Sequence, residues 1–248
     1  MNRETANVSD RCALRRYPSA AALANAAAHE WIRLLTNQPA HRERFCLALS
    51  GGRIAQPLYA AAVRVSKDRR TLWDKVEFFF ADDRWVPRDD PESNYRVAYE
   101  HLFESLRVAA DRVHPLYTGG LPEFAAAQVQ AEMLQRTPIN VDGTPILDLI
   151  ILGVGEDGHV ASLFPGAPPE VTESHAIYLP VIAPKPPPQR ITLTYATIAA
   201  ARHVIVLVSG PGKAAALRAS LSADAQTPLA RVVRSRPWTV VLTDVAAE

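Results

Sequence analysis

Between Gly153 and His159 the chain reads GVGEDGH, so two carboxylates, Glu156 and Asp157, and one imidazole, His159, share seven residues with three glycines. An imidazole, with an unperturbed pKa near ~6.5, can take a proton from water at neutral pH and return it to a leaving group. A loop histidine taken at random more often makes a structural hydrogen bond, and the other six histidines lack such surroundings. Two more stretches suit an anion. LSGGR supplies Ser50, Gly51, Gly52 and Arg53, and SGPGK supplies Ser209 and Lys213. Both read as turns from a strand into a helix, where free amides and the helix dipole favour a phosphate. A further polar run, ADDRWVPRDDPESNYR, sets Asp82, Asp83 and Arg84 directly after an apolar segment, with Trp85, Val86 and Pro87 stiffening the loop beyond them.

For these groups to meet, the elements before them must end on one edge. Hydrophobic periodicity predicts helices over Ser19 to Leu35, Ile54 to Ser66, Tyr95 to Leu106, Phe124 to Gln135 and Lys213 to Leu221. Short apolar strands are expected at FCLAL (Phe45 to Leu49), VEFFF (Val76 to Phe80), LDLIIL (Leu147 to Leu152), IYLPVI, VIVLV (Val204 to Val208) and TVVLT. Strands apolar throughout need cover on both faces, which predicts an α/β fold: a mostly parallel sheet flanked by helices on both faces, in a single domain over residues 1–248. Eight of the 11 glycines lie just past predicted strands. One such turn is an ordinary corner of an α/β chain; turns on three strands point to one shared crevice at the carboxyl edge, and each is expected to run into a helix. The segment Pro165 to Pro188 holds eight of the 20 prolines and reads as a rigid loop across one face.

Several classes are excluded. Gly153, Gly155 and Gly158 have the GxGxxG spacing, but an acid and a histidine stand where a pyrophosphate would lie, and no acidic residue ends a following strand at the expected distance. GxxxxGK is absent, and Ser162 lacks a G-x-S-x-G elbow and reads as a helix-start residue. The 27 basic and 26 acidic side chains are intermixed, which argues against nucleic acid or membrane as partner. Only four cations are lysines (Lys67, Lys75, Lys185, Lys213). Cys12 and Cys46 sit in unrelated contexts and are expected to be reduced thiols, with no metal framework. The first ten residues, MNRETANVSD, lack the apolar core of a signal peptide, and no apolar run approaches the ~20 residues that span a bilayer, so a cytoplasmic protein is expected.

LALSGG, FFFADDRWVPRDDPESNYR, LDLIILGVGEDGHVASLFPG, PKPPPQRITLT and SGPGKAAAL, in this order over Phe45 to Leu217, resemble the 6-phosphogluconolactonases, whose relatives are the aminosugar-phosphate isomerase/deaminases. The resemblance implies a Rossmann-like sheet and hydrolysis of 6-phospho-D-glucono-1,5-lactone without metal or organic cofactor; a monomer or weak homo-oligomer is expected. The resemblance also implies His159 as general base, with Asp157 its motif neighbour and Asp82 and Arg84 the acid and arginine of a D-E-R segment. Lys185 and Arg190 match basic positions at the phosphate end of the substrate. On this reading His159 activates a water that attacks C1 and then protonates the ring oxygen, with Asp157 or Asp82 orienting the imidazole and Arg84 orienting the site or stabilising charge. Ser50, Gly51, Gly52, Arg53, Lys185, Arg190 and Lys213 bind the phosphate. Two positions depart from the pattern: Arg53, Ile54 and Ala55 replace S-T-P after the glycines, and Asp83 replaces a glutamate and is expected to pair with a neighbour. Glu156 receives no role. The alternatives are an aminosugar-6-phosphate isomerase/deaminase, which would need an acid at Phe164, and a non-catalytic sugar-phosphate sensor, for which no output module is evident.

Overall fold

The computed structural model describes residues 11–39, 41–222 and 224–245; the N-terminal stretch MNRETANVSD lies outside the described residues. The strands are β1 (Cys12–Arg16), β2 (Phe45–Leu49), β3 (Val76–Phe80), β4 (Asp82–Arg84), β5 (Leu149–Gly153), β6 (Tyr178–Ile182), β7 (Gln189–Leu193), β8 (His203–Val208) and β9 (Thr239–Thr243). The helices are α1 (Ala20–Thr36), α2 (Ala55–Val65), α3 (Asn94–Ala98), α4 (Glu104–Leu106), α5 (Pro122–Arg136), α6 (Pro169–Thr172), α7 (Tyr195–Ala200), α8 (Ala214–Leu221) and α9 (Pro228–Arg234). Six strands form a sheet in the order β1-β9-β8-β5-β2-β3, every pair in it parallel. All residues of β2 and β3 are buried, so both faces of the sheet are covered, as their unbroken apolar runs predict.

The helix α1 shows why these segments fold locally. Ser19 caps it by accepting from the Ala22 amide at 3.2 Å, and Leu23, Ala27, Trp31 and Leu35 recur at helical spacing on its buried face. Trp31 then meets Trp73 edge to face at 5.1 Å, and Trp73 stacks with Phe78 of β3 at 6.1 Å. No helix among the described residues is long and apolar enough to cross a membrane.

Several elements differ from expectation. CALRR is a strand, paired in register with β9 although it has no apolar run. The segment expected as one helix from Tyr95 begins at Asn94 and passes through a π-turn at Tyr99–Phe103 between α3 and α4. Within the proline-rich segment IYLPVI is the expected strand, β6, but it joins a second, smaller sheet of order β4-β7-β6, antiparallel throughout, and not the main one. Pro180 is tolerated there because β6 is an edge strand. Ala81 joins the two sheets, its N–H donating to Leu49 O and its carbonyl accepting from Leu193 N, each at 2.7 Å.

At the amino end of the main sheet lies a buried charge cluster. Glu77 of β3 is 4% exposed and contacts His114 Nε2 at 2.9 Å, Arg112 Nη1 at 3.1 Å, and Arg44 and Arg136 at 3.5 Å each. Burial opposes ionisation of Glu77, but His114, Arg112 and Arg136 prevail and hold its carboxyl below the usual range. Such a group contributes its full stability above the unfolded value near ~4.3 and loses it as pH falls through the folded value. Glu77→Gln leaves Arg112 and Arg136 without their carboxylate partner. It is expected to cost roughly 3 kcal/mol at pH 7 and to flatten the acid-side loss of stability, checked by urea denaturation at pH 7 and pH 4.

Candidate active site

The strand order places β5 between β2 and β8, so the three glycine turns leave the sheet from three adjacent strands. The chain runs outward from β2 to β3 and returns to the other side of β2 with β5. This reversal opens a crevice at the carboxyl ends. A cleft of about 230 Å³ lies there, lined by Ser50, Gly51, Gly52, Arg53, Asp82, Arg84, Asn94, Gly155, His159, Arg190 and Lys213 among others. Most of the candidate residues therefore converge; Asp157 and Lys185 stand outside the lining and reach the cleft through His159.

GVGEDGH forms a tight loop closed by Gly155 N to His159 O at 2.8 Å and Gly158 N to Gly155 O at 3.1 Å. Inside it His159 Nδ1 lies 2.5 Å from Asp157 Oδ1, which also accepts from the His159 amide at 3.2 Å. A methyl group at Gly155 would stand 2.0 Å from that Nδ1, so only glycine lets the turn close on the pair. Burial lowers the basicity of His159 below the ordinary imidazole, against the opposite pull of Asp157. Burial works against ionised Asp157 as well, but Lys185 and His159 overcome it and hold the carboxyl well below its usual range. Asp157 is thus the carboxylate in contact with the imidazole; Asp82 instead accepts from Ser162 Oγ at 2.7 Å.

Ser162 is not a helix start. The turn at Gly153 runs into bridges of Val160 with Val154 and Leu163, and no described helix begins between β5 and Pro169. The other two turns do lead into helices, LSGGR into α2 and SGPGK through a short 3-10 turn into α8. Phe164 packs 4.4 Å from the His159 ring and lies under the Arg190 guanidinium at 5.6 Å. Arg190 itself is register partner to Arg84, a pairing of β7 with β4 that has no signal in the sequence because DDR is short and polar. Arg84 is tethered by Nη1 to Glu92 O at 2.6 Å, while its Nε has no protein partner. Ser50 Oγ, 91% shielded with its residue, also lacks one. Buried donors left unpaired by the protein are what a ligand-binding wall requires.

The chain is similar to known proteins. Residues 18–241 match the family of glucosamine-6-phosphate isomerases/6-phosphogluconolactonase. The chain is 36% identical over 234 residues to 6-phosphogluconolactonase of Streptomyces coelicolor, covering 91% of this chain and 89% of that one. It is 40% identical over 193 residues to the human 6-phosphogluconolactonase, covering 76% and 72%. The solved 6-phosphogluconolactonase from Trypanosoma cruzi superposes with a TM-score of 0.81 at 26% identity, covering 94% and 95%.

Asp83 points away from Asp82 and Arg84, as strand alternation requires. Its Oδ1 accepts from Arg84 N at 2.8 Å and Asn94 N at 2.7 Å, and its Oδ2 from Tyr95 N and Ser93 Oγ, each at 3.2 Å. The carboxylate thus clamps the start of α3 to β4 and sets Asn94 in the cleft wall, where its side chain donates to Asp82 O at 2.8 Å. Asn94 is a site residue that sequence reasoning misses; the cap residue Ser93 before it is the available signal. Burial pushes Asp83 up to about 7, against the amides of Asn94 and Tyr95. Asp83→Asn replaces one acceptor oxygen with an amino group facing donors. It is expected to cost about 1–3 kcal/mol in urea denaturation and to speed amide hydrogen exchange at Asn94 and Tyr95.

Proposed function

The chain belongs to the glucosamine-6-phosphate isomerase/6-phosphogluconolactonase family, and we propose that it hydrolyses 6-phospho-D-glucono-1,5-lactone to 6-phosphogluconate, a step of the pentose phosphate pathway. The Asp157–His159 contact in the wall of a cation-lined cleft carries this reading. With Nδ1 donating to Asp157, the neutral imidazole keeps its lone pair on Nε2. Burial keeps the ring neutral near pH 7, the form that a base must have.

Each step of the reaction then falls to a named group. His159 takes a proton from a water molecule, whose oxygen attacks C1 and raises a negative charge on the carbonyl oxygen. Arg84, with its unpaired Nε, stabilises that charge and orients the site. When the tetrahedral carbon collapses, the bond from C1 to the ring oxygen breaks, and the imidazolium returns its proton to that oxygen. Ser50, the amides of Gly51 and Gly52, Arg53, Lys185, Arg190 and Lys213 hold the phosphate, helped by the N-terminus of α2. Asp82 fixes the wall through Ser162 and Asn94. All these groups belong to one chain, so no second copy is needed, and we place the reaction in the cytoplasm.

Phe164 argues for water addition over amine removal. The aminosugar reading needs a proton-shuttling acid at this position, and an apolar ring packs against the imidazole instead.

His159→Ala is expected to lower turnover by ~10²–10⁴-fold with an unchanged circular dichroism spectrum, measured above spontaneous lactone opening. Near-normal turnover in that variant would sink the reading. The wild type should favour the phosphorylated lactone strongly over gluconolactone and release no ammonia from glucosamine 6-phosphate.

A further inference from the structure

Lys185 is the one assigned phosphate-binding side chain that does not line the cleft with the others. Its Nζ donates to Asp157 Oδ2 at 2.9 Å, while the other oxygen of that carboxylate holds His159 Nδ1 at 2.5 Å. A single carboxylate therefore serves both the proposed base and a proposed phosphate ligand. We propose that Lys185 couples phosphate binding to the strength of the base: it shares Asp157 with His159 until the substrate phosphate draws it off, and Asp157 then serves His159 alone. This rests on the assignment of His159 as the base.

Three observations support the coupling. The Lys185 side chain is 49% exposed on a flexible four-carbon stem, so it can exchange partners without disturbing the core. It also lies within electrostatic reach of the Arg53 and Lys213 end of the cleft. Lys213 is held below its ordinary value first by burial and then by the like charges of Arg53 and Lys185, against Glu156 and Asp157. A phosphate placed among these cations carries up to two charges, against one on a carboxylate already engaged by His159. Finally, the surroundings of His159 give the effect its sign. Burial and Lys185 lower its basicity, whereas Asp157 and Asp82 raise it. Arg190 stands beyond Phe164, and Arg84 and Lys213 line the same cleft without touching the ring. Withdrawal of Lys185 from Asp157 thus makes His159 a stronger base at the moment phosphorylated substrate is bound. Discrimination against the unphosphorylated lactone then falls on kcat as well as KM.

The test is Lys185→Met, with the His159 imidazole followed by NMR in 13C-histidine-labelled protein, free and with saturating 6-phosphogluconate. In the wild type the ligand should move the His159 titration to higher pH. In free Lys185→Met the titration should already lie higher than in the free wild type, and the variant's kcat should discriminate less between phosphorylated and unphosphorylated lactone. A free variant that titrates at the wild-type position overturns the coupling, even if its KM rises, because Lys185 would then be only an anchor. His159→Ala separates the two claims: an active His159→Ala removes the base assignment itself, whereas an inactive one with an unmoved Lys185→Met titration removes only the coupling.

Discussion

The parallel pairing of β5 with β2 on one side and β8 on the other governs the cleft. Apolar strands buried on both faces leave polar groups nowhere to go except the strand ends. Three adjacent strands that each run into a glycine-rich turn release their polar residues into one space. GVGEDGH, LSGGR and SGPGK are far apart in the chain, and only this strand order makes them neighbours. The same reversal of direction between β2 and β5 keeps the crevice open, since no crossover covers it.

The carboxylates at the amino end of the sheet and the donors of the cleft meet different surroundings. At the amino end Glu77 and Asp148 are saturated: Asp148 contacts Arg42, Arg202 and the Cys46 amide, as Glu77 contacts its arginines and His114. At the carboxyl end Ser50 Oγ and Arg84 Nε are left without protein partners. Fully paired carboxylates hold a structure in one arrangement; unpaired buried groups also occur away from the cleft, at Trp31, Arg236 and Thr239, so it is their place in the cleft wall that leaves Ser50 and Arg84 open to a ligand. Between them, Ala81 ties the small antiparallel sheet to β2 through two backbone bonds, and so fixes how far Arg84 and Arg190 reach over the cleft.

Much of this is legible in the sequence because apolar runs and glycine placement carry strong signals. FCLAL, VEFFF and VIVLV appear as strands close to their expected bounds, and most of the candidate residues meet at one edge. The features that escape a sequence reading are set by tertiary contact. The strand CALRR is polar at its end and is defined by its pairing with β9; DDR is three residues long and is a strand only because QRITL lies beside it. Asn94 looks like an ordinary loop polar residue and Ser162 like a helix start until Asp83 and Asp82 are seen to bind them. Lys185 reads as a phosphate ligand, and its bond to Asp157 has no local signal, since the two residues are 28 positions apart.

Phe164 shows why a single position can separate two chemistries on one fold. Its ring fills the space between the imidazole of His159 and the guanidinium of Arg190. A carboxylate there would face both, and beside His159 it would favour the imidazolium, adding to what Asp157 and Asp82 already do. For a reaction that shuttles protons through an acid, that is an advantage. For one that begins with a neutral imidazole taking a proton from water, it removes the base at the pH where it must work. An apolar ring at this position adds to the burial of the imidazole and so favours its neutral form, the form that the proposed base needs.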